Sequence, residues 1–388
     1  PNGLNGPAAL VIADGTLTAV AADPGRRTEP TIDVSGSYVT PGIVDIHTHV
    51  HVFDRTPEAY VSGIDADAHL FASGVTTTAD AGTVGWEHFA DFKTRWIDQS
   101  AVRVLAFLNI ARGGMVRKQS EQEVGELKPG IVAEMALAHP EHIVGIKSAH
   151  YWTRQPWDAD HPPWASVEAA VEAGERCGRP VMVDFWPRQP ERSYESLILE
   201  KLRPGDIHTH VFAKQFPILI EDGSVNPALR EARERGVIFD LGHGAGSFMF
   251  RNAVPAWRQG FPPDSISTDL HRNNISGTAI SMQHVMSKCL AVGMPLAEVI
   301  ERSTASPARE ISRPDLGTLS PGAEADVAVF RLREGDFGYA DCGGARLPAS
   351  QRLECRLTIR AGRVVFNPDA LGLPEWTDAP DEYWRIPQ

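Results

Sequence analysis

Short apolar runs rich in β-branched residues alternate with longer segments of helical periodicity through the middle of the chain. The runs are "GIVDIHTH", "GVTTTADAG", "VRVLAFLNI", "IVGIKSAH", "PVMVDFWP", "DIHTHVF", "VIFDLGHG" and "SISTDL". Between them, "WASVEAAVEAGERCG", "SYESLILEKL", "NPALREARERG" and "AISMQHVMSKCLAV" place apolar residues at helical spacing, and several end in glycine. Strand then helix, repeated eight times, predicts an α/β fold of the (β/α)8 TIM barrel type over residues 42–314. Each run carries a polar residue near its C-terminal end: His47, Asp80, Asn109, Lys147, Asp184, His210, His243 and Asp269. By subtraction they are 33, 29, 38, 37, 26, 33 and 26 residues apart, near the roughly 30 residues of one barrel unit. Barrel active sites lie at those strand ends.

The flanks read differently. Residues 1–41 ("AALVIADGTLTAVAAD", "TIDVSGSYVTP") and 315–388 ("GTLSPGAEADVAVFRL", "RLTIRAGRVVF") alternate as strands with tight turns. The two ends are expected to meet as one small β-sandwich domain beside the barrel. The closing stretch "LPEWTDAPDEYWRIPQ" is expected to be an irregular tail held by aromatics.

Composition narrows the class. With 388 residues, 42% hydrophobic and 22% charged, the chain has the make-up of an ordinary globular protein. A net charge of -13 argues against nucleic acid and anionic membrane surfaces as partners, and no apolar stretch is long enough to span a bilayer. Cys177, Cys289, Cys342 and Cys355 are scattered without CxxC spacing, as in a reduced, cytoplasmic protein. The chain opens on "PNGLNGP" without a methionine, and residues preceding it are the expectation.

The densest chemistry lies in "GIVDIHTHVHVF", residues 42–53, where His47, His49 and His51 alternate. Alternate side chains of a strand share a face, so His47 and His49 can reach one ion at about 2.0–2.1 Å. Lys147 in "GIKSAH", His210 in "DIHTHVF" and Asp269 in "STDLH" each close a later strand. In this ordered combination the chain resembles the amidohydrolase superfamily of metal-dependent hydrolases, and within it the dihydroorotase-like amidohydrolase/deacetylase group. The resemblance runs from "ADGTLTAVA" and "VTPGIVDIHTH" through "LRPGDIHTH" and "GHGAGSF" to "STASPAR" and "GTLSPGAEADVAVF".

The resemblance implies two divalent metal ions, zinc with manganese the alternative. His47, His49 and Asp269 would hold the more buried one, and His210 the more exposed one. Lys147, carboxylated on its amine, would bridge both, because a carbamate is an anionic two-oxygen ligand whereas an ammonium repels cations. One position departs from the family: a histidine is usual at the end of the fifth strand, and Asp184 stands there. A carboxylate can bind zinc at about 2.0–2.2 Å, with a shift toward harder metals; the alternative is that Asp184 only hydrogen-bonds and the second position is weak. Trp186 is bulky where smaller residues are usual, and is expected to reshape the substrate pocket. His243, in the family's "GHG", would contact a polar substrate group or pack at the rim. His51 is expected in the loop over the site, as a substrate contact or a structural residue. His271 is a candidate to orient a ligand, His208 reads as structural, and Asp80 and Asn109 as ties between strand ends.

The implied reaction is hydrolysis of an amide, or a related ester, of a small acylated compound by a metal-bridging hydroxide, with Asp269 moving the proton to the leaving group. Trp152, Trp157, Trp164 and Trp186 near the expected barrel mouth point to an apolar or aromatic substrate portion. A cyclic-amide hydrolase of the dihydroorotase or hydantoinase kind would share the metal chemistry. Arg55, the nearby arginine, is poorly spaced for the carboxylate grip of a dihydroorotase. A deaminase fits less well, since no glutamate follows Asp184 closely. A non-catalytic barrel has Asp184 as its support, and retention of the other ligands against it. The resemblance is compatible with a homo-oligomer.

Overall fold

A computed structural model describes residues 6–21, 30–52, 62–117 and 119–380. Its centre is a seven-stranded sheet of β4 (Ile43–Thr48), β5 (Val75–Gly85), β6 (Arg103–Asn109), β7 (Ile143–Ser148), β8 (Val181–Val183), β9 (Ile207–His208) and β10 (Ile238–Phe239). Neighbours in the sheet are neighbours in the chain, and every pairing is parallel. Residues 265–270, the run "SISTDL", bond to both edges. Leu241 N donates to Ser265 O at 3.0 Å, and His49 N donates to Leu270 O at 2.9 Å, with parallel bridges from Asp240 to Ser265 and from Thr48 to Leu270.

Strand alternation sorts the apolar residues onto two faces. Val44, Ile46, Ala79, Leu105, Phe107 and Val144 form one buried cluster with Met182 and Ile207. The opposite parity, with Ile43, Val75, Val104, Ala106, Ile143 and Val181, joins a larger cluster with the helices. Helix Ala165–Cys177 stops where Gly178 takes φ 66, a conformation glycine adopts without penalty. Helix Pro227–Glu234 starts at Asn226, whose side chain accepts from Ala228 N, and helix Met282–Val292 at Ser281, whose side chain accepts from His284 N. The segment "SYESLILEKL" departs from expectation. Its α-helix is only Tyr194–Ser196, and the chain continues as a wider π turn over Leu197–Lys201.

The terminal segments form two small sheets. β1 (Ala9–Ala13) pairs antiparallel with β2 (Thr16–Ala21). β3 (Tyr38–Pro41) joins β11 (Val327–Ala340), β12 (Arg346–Arg360) and β13 (Arg363–Phe366) in the order β13-β12-β11-β3. Leu17 packs with Val327, Val329, Leu357 and Ile359 in a cluster shared by both sheets. The long β12 also binds the central unit: Leu353 N donates to Ser287 Oγ at 3.0 Å and Cys355 N to Gln283 Oε1 at 2.7 Å. Among the described residues no helix is long and apolar enough to cross a membrane.

Candidate metal centre

His47 and His49 sit out of phase with the inward-facing Val44 and Ile46, so strict alternation would not aim them as it aims those two. The register shift between Asp45 and Thr48 against β5 resolves the conflict. A bulge re-aims side chains in this way. Lys147 leaves β7, Asp184 directly follows β8, His210 follows β9 by two residues, and Asp269 lies on the segment linking the sheet edges. All emerge at the C-terminal ends of the parallel strands.

Two donors bound tetrahedrally to one zinc at about 2.0–2.1 Å lie about 3.3–3.4 Å apart. Asp269 Oδ1 is 3.1 Å from His49 Nε2 and 3.6 Å from His47 Nε2. Lys147 Nζ is 3.4 Å from His47 Nε2. Donor atoms of His47, His210 and Asp269 all lie within 4.8 Å of one another. Asp184 Oδ2 is 3.6 Å from His210 Nε2. The donors thus already stand at ligand spacing, and their chemistry, imidazole and carboxylate, suits a divalent ion.

Each histidine is turned by the partner of its other nitrogen. His47 Nδ1 contacts Thr209 Oγ1 at 2.8 Å, and that hydroxyl donates to Asp240 Oδ2 at 2.7 Å. His49 Nδ1 contacts Thr83 Oγ1 at 2.7 Å, and Thr83 donates to Asp80 Oδ2 at 2.8 Å. His210 Nδ1 donates to Gly242 O. These networks assign the proton to Nδ1 and leave Nε2 as the donor for a cation. The non-glycine residues His210 and Asp269 hold φ of 61 and 50, backbone strain of the kind found at functional sites.

Electrostatics agree with ligation. Burial, reinforced by the Lys147 charge, lowers His47 to about 3, so the imidazole is neutral. Burial lowers Lys147 as well, against the pull of Asp184 and Asp269. Burial would raise Asp269, yet His271, His49 and His47 together hold it well below the usual carboxylate range. Asp184 is likewise raised by burial but brought down further by His210, His150 and Lys147.

Other expected site residues fall elsewhere. His243 is fully buried, with Nδ1 on Gly244 O at 2.9 Å and Nε2 on Lys288 Nζ at 2.8 Å. It braces the loop beside Asp269 and does not join the cluster. His51 packs edge-on against Trp96 and Phe92, at 4.5 and 5.4 Å between centroids. His271 does reach the cluster: Nδ1 is 2.7 Å from Asp269 O and 3.6 Å from Asp269 Oδ1. Asn274 Nδ2 donates to the same carbonyl at 2.6 Å. Trp186 is 38% exposed, while Trp152 stacks on His161, Trp164 on Phe185, and Trp157 lies under Arg188 and Arg192. His208 is boxed by Tyr194, Phe216 and Phe239. Asp80 accepts from Val50 N, and Asn109 donates to Gly82 O. Arg55 and the last part of the aromatic tail lie outside the described residues.

Sequence reasoning missed Glu121 and His150, although His150 closes the run "GIKSAH". His150 Nε2 is 3.2 Å from Asp184 Oδ2, and its Nδ1 is 3.2 Å from Glu121 Oε2. Burial would lower the imidazole, but the two carboxylates raise it well above the usual histidine value.

No family model matches the chain. A deacetylase of Brucella anthropi is 32% identical over 367 residues, covering 92% of this chain and 87% of that protein. A deacetylase of Enterococcus faecalis is 30% identical, covering 93% of this chain and 96% of its own length. The solved structure of an adenine deaminase superposes with a TM-score of 0.82 at 27% identity, covering 92% of this chain and 95% of that one. That of a dihydroorotase gives 0.77 at 28%, covering 93% and 95%. With relatives spanning nearly its whole length and a histidine–aspartate cluster at the strand ends, the chain belongs to the amidohydrolase superfamily of metal-dependent hydrolases.

Proposed function

We propose that this hydrolase removes acyl groups from small N-acyl or O-acyl compounds, using two divalent ions, zinc by preference, at the strand ends of a closed (β/α)8 barrel. The observation that carries the reading is the likeness to proteins named deacetylases over 92% and 93% of the chain. The edge bonding of residues 265–270 supports closure of the barrel as its eighth strand. Residues 42–314 form that barrel, and 1–41 with 315–388 a composite β-sandwich domain, supported by the β3–β11 pairing. Four free cysteines among the described residues support a cytoplasmic setting.

His47, His49 and Asp269 would hold the first ion, Asp184 and His210 the second, and a carboxylated Lys147 would bridge them. Bound divalent ions supply a water acidified to about pKa 7 and polarise a carbonyl. The chain's own residues do the rest. Asp269 Oδ1 stands among His47, His49 and His271, where it takes the proton from the attacking water and passes it to the leaving amine or alkoxide. His271 and Asn274 both hold the Asp269 carbonyl and fix the carboxylate's approach. Trp186, the exposed member of the aromatic loops, offers an apolar wall to the substrate.

A turnover screen of acyl amino acids, acyl esters and cyclic amides tests the substrate class. Hydrolysis of the first two supports the reading. Turnover confined to cyclic amides transfers it to the second reading, favoured by the dihydroorotase likeness. Asp269→Asn is expected to lower kcat by roughly 10³-fold or more, in the upper part of the 10²–10⁴-fold range typical of a lost acid–base group, with metal content nearly intact because the amide oxygen can keep the position of Oδ1. Unchanged turnover removes Asp269 from the proton path.

A further inference from the structure

Beside the second metal position stands an imidazole that the family pattern does not assign to it. Where a histidine is usual at the end of β8, this chain has Asp184, and His150 stands directly across from it. We propose that His150 is a ligand of the second ion, restoring from the loop after β7 the imidazole that β8 lacks; this rests on the two-ion reading above.

Three observations converge on it. The first is spacing. Asp184 Oδ2 lies 3.2 Å from His150 Nε2 and 3.6 Å from His210 Nε2, bracketing the edge of about 3.3–3.4 Å that tetrahedral zinc requires. Asp269 stands in the same relation to His49 and His47, at 3.1 and 3.6 Å. The second is orientation. His150 Nδ1 meets Glu121 Oε2 at 3.2 Å, so Nε2 is the nitrogen turned to Asp184, as in the carboxylate–histidine–metal arrangement. Glu121 is itself fixed: it is 2% exposed, and its Oε1 accepts from Asn109 Nδ2 at 2.9 Å. The third is backbone. His150 holds φ 51, as His210 and Asp269 hold left-handed values. Gln122 clamps this turn by donating to His150 O and accepting from Trp152 N, both at 2.9 Å. The buried His208 and His243 instead meet aromatic rings, and the Gly244 carbonyl and Lys288, respectively. The expected donor group is two imidazoles and a carboxylate, which suits zinc and its first-row neighbours.

The rival account is an ion pair, with His150 neutralising Asp184 and Glu121. The two predict opposite signs. A ligand's removal weakens the second ion, whereas removal of a competing cation strengthens it or leaves it unchanged. Metal-loaded protein would be equilibrated with chelator-buffered zinc, and ions per chain counted by elemental mass spectrometry. In wild type, two ions are expected. His150→Ala should keep the first and lose affinity for the second by at least the roughly 10–100-fold that loss of a supporting partner brings. Glu121→Gln should lower it by about 10-fold, and as the gentler change it carries the test if His150→Ala fails to fold. Two ions in wild type with unchanged or tighter second-ion binding in both variants overturns this assignment and leaves the two-ion reading standing. A single ion in wild type overturns both.

Discussion

Lys147 is fully buried, its charge disfavoured by burial and favoured by Asp184 and Asp269, and its reach depends on a residue without a side chain. Gly82, at φ +83, lies so close that a Cβ there would sit 2.6 Å from Lys147 Cβ and 2.5 Å from its Cγ. Gly82→Ala therefore meets both a strained backbone, costing about 1–3 kcal/mol, and a collision with an immobile side chain. The expected outcome is a lower Tm and fewer ions per chain, read by thermal unfolding and elemental analysis on one preparation. An alanine variant with normal metal content would mean that Lys147 does not bridge. The residue scale also marks where reading the sequence stops. His47, His49, His210 and Asp269 were legible because each closes a strand, and strand ends of such a sheet share one rim. His150 lies in the same run as Lys147, but its meaning depends on an oxygen of Asp184, which sequence distance does not reveal. His243 reads from the sequence as a substrate contact or a rim residue, and Lys288, from a helix far along the chain, takes its Nε2.

Elements hold the histidines through threonines. β4, β9, β10 and the 265–270 segment meet at Asp240, fully buried, which accepts from Thr209, Ser265 and Ser267. Asp45 makes the corresponding tie across the seam from β4, accepting from Thr268 Oγ1 at 2.6 Å. Thr209 is the link that matters for the ion, because it joins His47 Nδ1 to Asp240. Thr209→Val keeps the shape and removes both bonds. Affinity for the first ion is expected to fall by roughly 10–100-fold, with a stability loss of about 1–3 kcal/mol from the buried His47 Nδ1–H left without its acceptor, Asp240 Oδ2 keeping its bond from Ser267. Chelator titration and denaturant unfolding measure the two separately. Affinity equal to wild type would show that packing alone orients His47. At this scale the order of strands and helices was readable from period and punctuation. The lengths were not: β9 and β10 are two residues each, since the chain leaves the sheet to place His210 and the Gly242–Gly244 turn, a tertiary demand that residue propensities do not encode.

At the scale of the whole molecule, stability must respond to pH, because burial outweighs the nearby cation at one carboxylate. Glu310 ends helix Ala305–Glu310, and its Oε2 is buried with no hydrogen-bond partner among the described residues. Burial, aided by the charges of Asp240 and Asp264, raises its carboxyl to about 8 from the ordinary 4.5. Between those values the folded chain keeps a proton that the unfolded chain releases, so fewer protons are bound on unfolding and stability falls as pH rises. The contribution is fully present below about pH 4.5 and gone above about pH 8. At about 1.4 kcal/mol per unit, the window amounts to a few kcal/mol, on the order of 3–5. Glu310→Gln keeps the shape without the ionisation. Its unfolding free energy should match wild type near pH 4.5 and exceed it increasingly toward pH 8, in urea titrations at fixed zinc. Parallel profiles across that window would mean that Glu310 is ionised in the folded chain, and that Arg309 or a neighbouring arginine, not a proton, neutralises it.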